Sequence, residues 1–353
     1  MLPYWLLLLI PAWRALANPK QRWSDPISVA IWVVLTLVIG LRHEVGGDWE
    51  IYLENLNVVR DQGFSEISLI RDPAYVLLNW LSWKLGAEIY GVNLVCAGIF
   101  SFGLVLFCRA QPRPWLALCL SIPYLVIVVA MGYTRQAVSI GFLMPGFLAL
   151  GQGKLKHFVG WVTAAAAFQQ TSLITLAFLL PVMPGRSLQV RLLRLLIMAV
   201  VAAGLVQMFL VARIEVFIQG YLVSQQMQSE GAAIRVAMNA LPGLVFLIWG
   251  KRLKLLAQEH RLWVGIAALT MACVVGLKVV PSTTVVDRIA LYAIPVQLFV
   301  GSRVPDLGLL RMDARGLTVL VVGLAVAVQF VWLFFAKTAF AWLPYQSILW
   351  GVS

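Results

Sequence analysis

Long apolar runs follow one another along almost the whole chain, and they constrain its fold more than any motif does. Hydrophobic residues make up 61% of the 353 positions, and charged residues only 12%. A helix of about 20 apolar residues crosses the hydrocarbon core of a bilayer, and no polar stretch is long enough for a separate soluble domain. The sequence therefore predicts an all-α, polytopic transmembrane helical bundle, with residues 1–353 forming a single integral membrane domain.

The alternation of basic and non-basic connections predicts the topology. About twelve spans are expected, in a range of roughly 11 to 14. Cytoplasmic loops carry an excess of Lys and Arg, which places connections such as 109–114 and 250–261 in the cytoplasm and both termini outside. The predicted spans cover residues 2–13, 26–41, 88–108, 114–131, 136–151, 156–169, 171–184, 192–212, 234–250, 262–280, 288–302 and 316–336.

Two outer-face segments follow from this topology. Residues 42–87 are predicted to form an outer-face loop, and residues 73–86 within it must not cross the membrane. They start at Pro73 and carry Lys84, which favours a re-entrant or interfacial helix. Residues 213–233 are rich in Gln and predict an outer-face amphipathic loop.

Charge and motifs exclude several classes of protein. The net charge of +12 fits positive-inside topology and contact with anionic membrane lipids, and no basic patch with interleaved aromatics indicates nucleic acid. The chain has no P-loop, GxGxxG, HExxH, GxSxG or DxD motif and only three histidines, so no metal site and no cofactor are predicted. The four cysteines lie in or beside apolar runs without CxxC spacing, which predicts buried free thiols.

Seven arginines fall on the predicted outer face, where the topological bias disfavours cations. Guanidinium groups bind phosphate oxygens through paired hydrogen bonds and stay charged, so a cluster of them fits a lipid-linked pyrophosphate. Each can instead pair with a local carboxylate, as Arg71 can with Asp72 and Arg288 with Asp287, or with a lipid headgroup. The seven are Arg42, Arg60, Arg71, Arg135, Arg213, Arg235 and Arg288.

Arg135 is the strongest ligand candidate among them. It lies in the short polar segment 132–136 between two apolar runs and has no carboxylate neighbour in sequence. The alternative is an interfacial arginine whose head group simply reaches toward water.

The segment from Arg42 to Asp72 is the most charged part of the chain. It holds seven of the 15 carboxylates, and charge beside lipid is costly and tends to mark a site. Glu44 and Asp48 flank a Gly-Gly pair, so Asp48 is predicted either to cap a helix over 49–60 or to act as a general base. Neighbouring His43 is another possible base.

The order of several short blocks resembles the EpsG/Wzy-type family of integral-membrane polysaccharide polymerases. The resemblance runs over nearly the full length, and the order and spacing of the blocks are more specific than any one of them. Where the family usually has a histidine after Phe168, this chain has Gln169, which can bind a sugar but cannot act as a base. The blocks are Arg42/Gly47/Asp48/Trp49/Tyr52, Asp72-Pro73-Ala74-Tyr75, Arg135-Gln136, Phe168-Gln169, Arg288/Tyr292 and Pro344-Tyr345.

The resemblance implies a polymerase in the bacterial inner membrane whose active site faces the periplasm. It would join oligosaccharide repeat units carried on undecaprenyl pyrophosphate, without a metal. The resemblance leaves open whether a chain-length regulator and a flippase act with it. The predicted catalytic residues are Asp48, Glu44, Arg135 and Arg288. The predicted substrate-binding residues are Arg42, His43, Tyr52, Arg71, Tyr75, Gln136, Gln169, Arg213, Arg235, Tyr292 and Tyr345.

Two other functions fit part of the pattern. A flippase for lipid-linked oligosaccharides would also need an arginine-lined cavity, but it should carry charge deep in both halves and show repeat symmetry. A non-enzymatic assembly partner could keep a vestigial site. The scarcity of histidine argues against an O-acyltransferase, and the apolar setting of the cysteines argues against a transpeptidase.

Overall fold

A computed structural model describes residues 1–183, 185, 187–219, 231–280 and 282–350, and for 208–219, 310 and 350 it describes the backbone alone. The described chain is almost entirely helical and contains no strand, so the predicted all-α class is confirmed. Each of the apolar runs predicted from the sequence lies on helical structure. The α-helices are α1 (Leu2–Ala17), α2 (Asp25–Gly40), α3 (Trp49–Arg60), α4 (Pro73–Lys84), α5 (Glu88–Arg109), α6 (Pro114–Ser121), α7 (Thr134–Gly151), α8 (Leu155–Phe168), α9 (Leu179–Val182), α10 (Leu188–Gln219), α11 (Ala232–Trp249), α12 (Ala257–Val279), α13 (Thr283–Leu291), α14 (Pro295–Gly301) and α15 (Ala314–Phe335).

Two α-helices continue into other helical forms. A π-helix over Ile122–Ala130 prolongs α6, and a 3-10 helix over Gln170–Phe178 leads into α9. In both cases a proline, Pro123 or Pro181, falls in the apolar run. Proline removes one backbone donor and clashes with the preceding turn, so the runs do not fold as uninterrupted α-helices.

Five helices among the described residues are long and apolar enough to cross a bilayer. The pair Thr283–Leu291 and Pro295–Asp306 is bent by 50° and makes a sixth if it counts as one span. Four further apolar helices are shorter than 18 residues, so the predicted count of about twelve is not confirmed. The five are Glu88–Arg109, Leu188–Gln207, Ala232–Leu253, Ala257–Val279 and Ala314–Phe335.

The two predicted outer-face segments fold differently. Helix α4 has 12 residues, which corresponds to about 18 Å at 1.5 Å per residue and is too short to cross. Helix α10 runs on through 213 to Gln219, while residues 220–230 of the predicted amphipathic loop lie outside the described part of the chain. The placement of both segments at the outer face stays a prediction.

The chain divides into two compact units. The first comprises residues 1–145, 164–170 and 301–353, and the second comprises residues 146–163 and 171–300. In the first unit, α5 and α7 approach so closely that a Cβ on Gly103 would lie 1.8 Å from the Gly141 carbonyl oxygen. Glycine is therefore required at this helix crossing.

The first unit has two chemically different ends. At one end, Arg109 pairs with Asp25 at the start of α2, with 2.6 Å between Nη1 and Oδ1. Arg22 donates to the Gln111 carbonyl, and Arg113 pairs with Asp306. The connections 18–25, 109–114 and 301–313 meet there. Because these arginines lie in or beside them, we call this the basic end.

The other end of the first unit, where α2 and α15 finish and α7 begins, holds the connections 41–48, 61–72, 131–135 and 336–348. We call it the polar end. Which side of a membrane each end faces stays a prediction.

The second unit is built around aromatic packing. The rings of Trp263 and Phe299 stack with their centroids 3.9 Å apart, and Phe147 packs edge-on against Phe178. Cys273 lies in the apolar cluster of Val236, Val286 and Ala290. All four cysteines of the chain are free and buried, which confirms the prediction made from their apolar surroundings.

Candidate functional site

The polar end of the first unit is held together by the C-terminal segment. The His43 amide donates to the Gln346 carbonyl at 3.1 Å, and the Gly46 amide donates to the Ala341 carbonyl at 2.8 Å. Gly46 adopts φ +114°, and a Cβ there would lie 2.2 Å from the Met131 carbonyl oxygen. Only glycine tolerates both conditions, so the Gly-Gly pair fixes the 41–48 loop against the start of α7.

Arg42 is the buried centre of this loop. Only 1% of its surface is exposed. Its Nε donates to the Val45 carbonyl at 3.1 Å, its Nη1 to the Ile39 carbonyl at 2.7 Å, and its Nη2 to Thr134 Oγ1 at 2.9 Å and Asn93 Oδ1 at 3.3 Å. Burial lowers the pKa of Arg42 to about 10, so the guanidinium remains charged at neutral pH. Its protein contacts tie the 41–48 loop to three helices, α2, α5 and α7.

Replacing Arg42 with methionine is expected to destabilise the protein. The change leaves buried carbonyl and side-chain acceptors without their donor, at about 1–3 kcal/mol for each. We expect the unfolding midpoint of the detergent-purified protein to fall by about 5 °C or more. Arg71→Met, which removes the same charge from an exposed side chain, is the matched control. Equal midpoints for the two variants would contradict the structural role of Arg42.

Arg135 and Asp72 form an ion pair at the polar end. Arg135 Nη1 lies 3.0 Å from Asp72 Oδ2, and the Gln170 amide donates to Asp72 Oδ1 at 2.7 Å. The side chain of Arg135 is 35% exposed and that of Asp72 only 12%. The carboxylate therefore holds the arginine from its buried side, while a ligand can reach the guanidinium from the exposed side.

Two buried tyrosines pack against this pair. The Arg135 guanidinium lies over the Tyr75 ring, 5.6 Å from its centroid, and the Tyr75 and Tyr52 rings meet edge to face at 6.1 Å. The Tyr52 hydroxyl is a hydrogen-bond partner of Arg135. Burial raises the pKa of Tyr52 to about 12, and the charge of Asp48 contributes to the rise. Tyr52 therefore keeps its proton at neutral pH.

The predicted carboxylates lie on either side of the Gly-Gly pair. Asp48 is half-buried and occupies the N-cap position of α3, as predicted, but its carboxylate does not accept the capping hydrogen bond. Its charge acts on the Tyr52 hydroxyl. Glu44 is exposed and lies 3.7 Å from the His43 ring, whose Nδ1 is 2.7 Å from the Tyr90 hydroxyl. Of the two predicted carboxylates, Asp48 is thus the one whose charge acts on the tyrosine beside Arg135.

The second unit holds a separate polar cluster. Arg235 on α11 binds Asp287 on α13 with both arms of its guanidinium, at 2.9 Å from Nε to Oδ1 and 2.7 Å from Nη2 to Oδ2. The hydroxyl of the fully buried Tyr292 lies 2.7 Å from Thr171 Oγ1. Asp287 is thus bound by Arg235, which is 52 residues away in sequence.

The remaining predicted catalytic and substrate-binding residues occupy varied positions. Arg71 and Arg288 are exposed, Gln136 is buried, and Gln169 is half-buried at the end of α8. The Tyr345 hydroxyl donates to the Val38 carbonyl at 2.8 Å. The side chain of Arg213 lies outside the described part of the structure. The substrate-binding and catalytic roles of these residues stay predictions.

Several residues of the polar end were not predicted from the sequence. The sequence offers Arg71 as the nearest partner of Asp72, whereas the structure pairs Asp72 with Arg135. The Asp-Pro step at the start of α4 is a familiar helix-start signal. It does not indicate that Asp72 contacts Arg135, which is 63 residues further along the chain. No pattern in the sequence predicted the contacts of Asn93 and Thr134 with Arg42, or of the Gln170 amide with Asp72.

The described residues contain no group of three or more His, Cys, Asp or Glu side chains placed to hold a metal ion. Around Arg135, the polar end brings together a partly exposed arginine, the half-buried carboxylate of Asp48 and the protonated Tyr52. Such a set can bind an anion, orient a hydroxyl group and accept a proton.

Comparison with known proteins adds one match. The model of the EpsG family matches residues 27–347, which is most of the chain. No curated protein and no solved structure matches it.

Proposed function

The chain belongs to the EpsG family, a Wzy-type polymerase family, and we propose that it polymerises oligosaccharide repeat units carried on undecaprenyl pyrophosphate. Its apolar helices and its family make it a membrane protein of polysaccharide biosynthesis. In this proposal it is a metal-independent glycosyltransferase in the bacterial inner membrane, and its polar end faces the periplasm.

The proposed reaction joins two lipid-linked chains. A hydroxyl group of the acceptor's terminal sugar attacks the anomeric carbon of the donor's first sugar, and a glycosidic bond forms. The bond between that carbon and the pyrophosphate oxygen breaks, and undecaprenyl pyrophosphate leaves with the electron pair. The proton of the attacking hydroxyl passes to a carboxylate, for which Asp48 is the first choice and Glu44 the second.

The observation that supports this proposal is the electrostatic link of the Asp48 carboxylate and the Arg135 guanidinium to the Tyr52 hydroxyl. It brings a base and a cation to one protonated tyrosine. A leaving pyrophosphate needs positive charge, and an arginine that is already oriented supplies it without reorganisation. Asp72 and the Tyr75 ring orient Arg135. Arg42 is enclosed by protein acceptors, so we assign it the role of positioning the loop that carries Asp48.

Turnover of a purified lipid-linked repeat unit tests the proposal. The detergent-solubilised protein, with EDTA and without any nucleotide, is expected to convert the substrate into a ladder of longer products on a gel. Loss of the ladder in variants at Arg135 would then show that the products come from this protein and not from a contaminating enzyme. Intact substrate in the presence of folded protein would contradict the proposal, and transport of the same lipid into liposomes would then support a flippase.

The proposal includes a topology of about twelve spans with the polar end outside. Impermeant maleimide applied to spheroplasts is expected to label Ser65→Cys, in the exposed 61–72 loop, without permeabilisation. Asn18→Cys, exposed at the basic end, should be labelled only after permeabilisation. The native cysteines are buried and should give a low background. Labelling of Asn18→Cys in sealed spheroplasts would invert the assigned orientation.

A further inference from the structure

The basic end of the first unit contains an open cavity of about 520 Å³ between the end of α1 and the start of α15. Its wall is formed by the α1 residues Leu16 and Ala17 with Pro19 and Lys20 beyond them, and by the α15 residues Ala314, Arg315 and Thr318. Arg113 completes the lining. A cavity of this size accommodates a small polar group of a ligand.

The cavity carries excess positive charge. Lys20 and Arg315 are exposed within it. Of the nearby carboxylates, Asp306 is bound by Arg113 through both oxygens, and Asp313 accepts a hydrogen bond from the Gly316 amide at 2.8 Å. Arg113 neutralises Asp306, and the two charges of Lys20 and Arg315 exceed the single charge of Asp313, so the cavity keeps a net positive charge.

Arg113 shows that the site is built into the protein interior. Only 1% of its surface is exposed, and its guanidinium donates to both oxygens of Asp306 and to the Ser302 carbonyl. Arg113 therefore forms a fixed inner wall of the cavity, and the exposed Lys20 and Arg315 are the cations that an entering anion would meet.

We propose that this cavity binds a phosphate-bearing anion, with an acidic phospholipid headgroup as its source. The helices on both sides expose apolar side chains along their length, including Leu9 and Trp13 on α1 and Val319 and Leu324 on α15. Acyl chains can lie against these surfaces while the phosphate reaches Lys20 and Arg315. Basic pockets between helices at the cytoplasmic end of membrane proteins bind such headgroups. The proposal goes beyond the polymerase function and does not rest on it.

Native mass spectrometry of the whole detergent-purified chain tests the proposal. Phosphatidylglycerol, phosphatidylcholine and inorganic phosphate are titrated separately. The double variant Lys20→Ala with Arg315→Ala is compared with Lys154→Ala with Lys156→Ala, which removes two exposed charges outside the cavity. We expect one phosphatidylglycerol to bind the wild type and the control pair alike, and to bind the cavity variant about tenfold more weakly.

The remaining outcomes are also informative. Equal weakening in both double variants would overturn the site, because the effect would then follow net charge alone. Equal binding of phosphatidylcholine would overturn the requirement for an acidic headgroup. Inorganic phosphate that binds with the same dependence on Lys20 and Arg315, and competes with phosphatidylglycerol, would support the site and identify a soluble source. The unfolding midpoint without lipid checks that the cavity variant is folded.

Discussion

Arg135→Ala is expected to reduce polymer formation by at least about 100-fold, because a transition-state cation of this kind contributes about 10²–10³ in rate. The arginine is the partly exposed cation of the polar end, and its protein contacts orient it from the buried side. Removing it leaves the departing pyrophosphate without a preoriented counter-charge. The measurement is the rate of ladder formation from the lipid-linked repeat unit.

Two further variants sharpen the test of Arg135. Arg135→Lys keeps the charge but loses the planar fork, so we expect it to recover only part of the activity. Arg60→Ala removes an exposed arginine that stacks on Trp83 in the same unit and should remain close to wild type. A full ladder from Arg135→Ala, in folded protein, would remove Arg135 from the mechanism.

The Arg135 site shows what could be predicted from the sequence and what could not. The apolar runs predicted helices, and the position of Arg135 between two of them predicted a membrane-boundary arginine. Its ion pair with Asp72 depends on how α4 and α7 pack, since 63 residues separate the partners. Hydrophobic periodicity reports which face of a helix is buried, but not which distant polar group meets it.

Arg42 illustrates the same limit. Its position beside an apolar run and a glycine pair suggested a phosphate ligand as readily as a structural residue. The enclosing groups come from α2, the 41–48 loop, α5 and α7, so burial emerges only when these elements pack together. The span count failed for another reason: several apolar runs are broken by proline or form helices of 16 residues.

Asp48→Asn is expected to lower turnover by about 10²–10⁴-fold, because the amide cannot take the proton of the attacking hydroxyl. Asp48 is half-buried and acts on Tyr52, which contacts Arg135. The substitution keeps the size of the side chain, and no capping hydrogen bond is lost. We therefore expect the unfolding midpoint to change little while the ladder disappears.

Two glutamate variants distinguish a specific base from a general effect of negative charge on this loop. Glu50→Gln removes an exposed carboxylate from the first turn of α3, and it should keep the wild-type ladder. Glu44→Gln tests the second candidate, which lies beside His43 rather than Tyr52. If Glu44→Gln abolished turnover and Asp48→Asn did not, the proton would pass to Glu44. The base would then act from the His43 side of the loop, and Tyr52 would serve only to position Arg135.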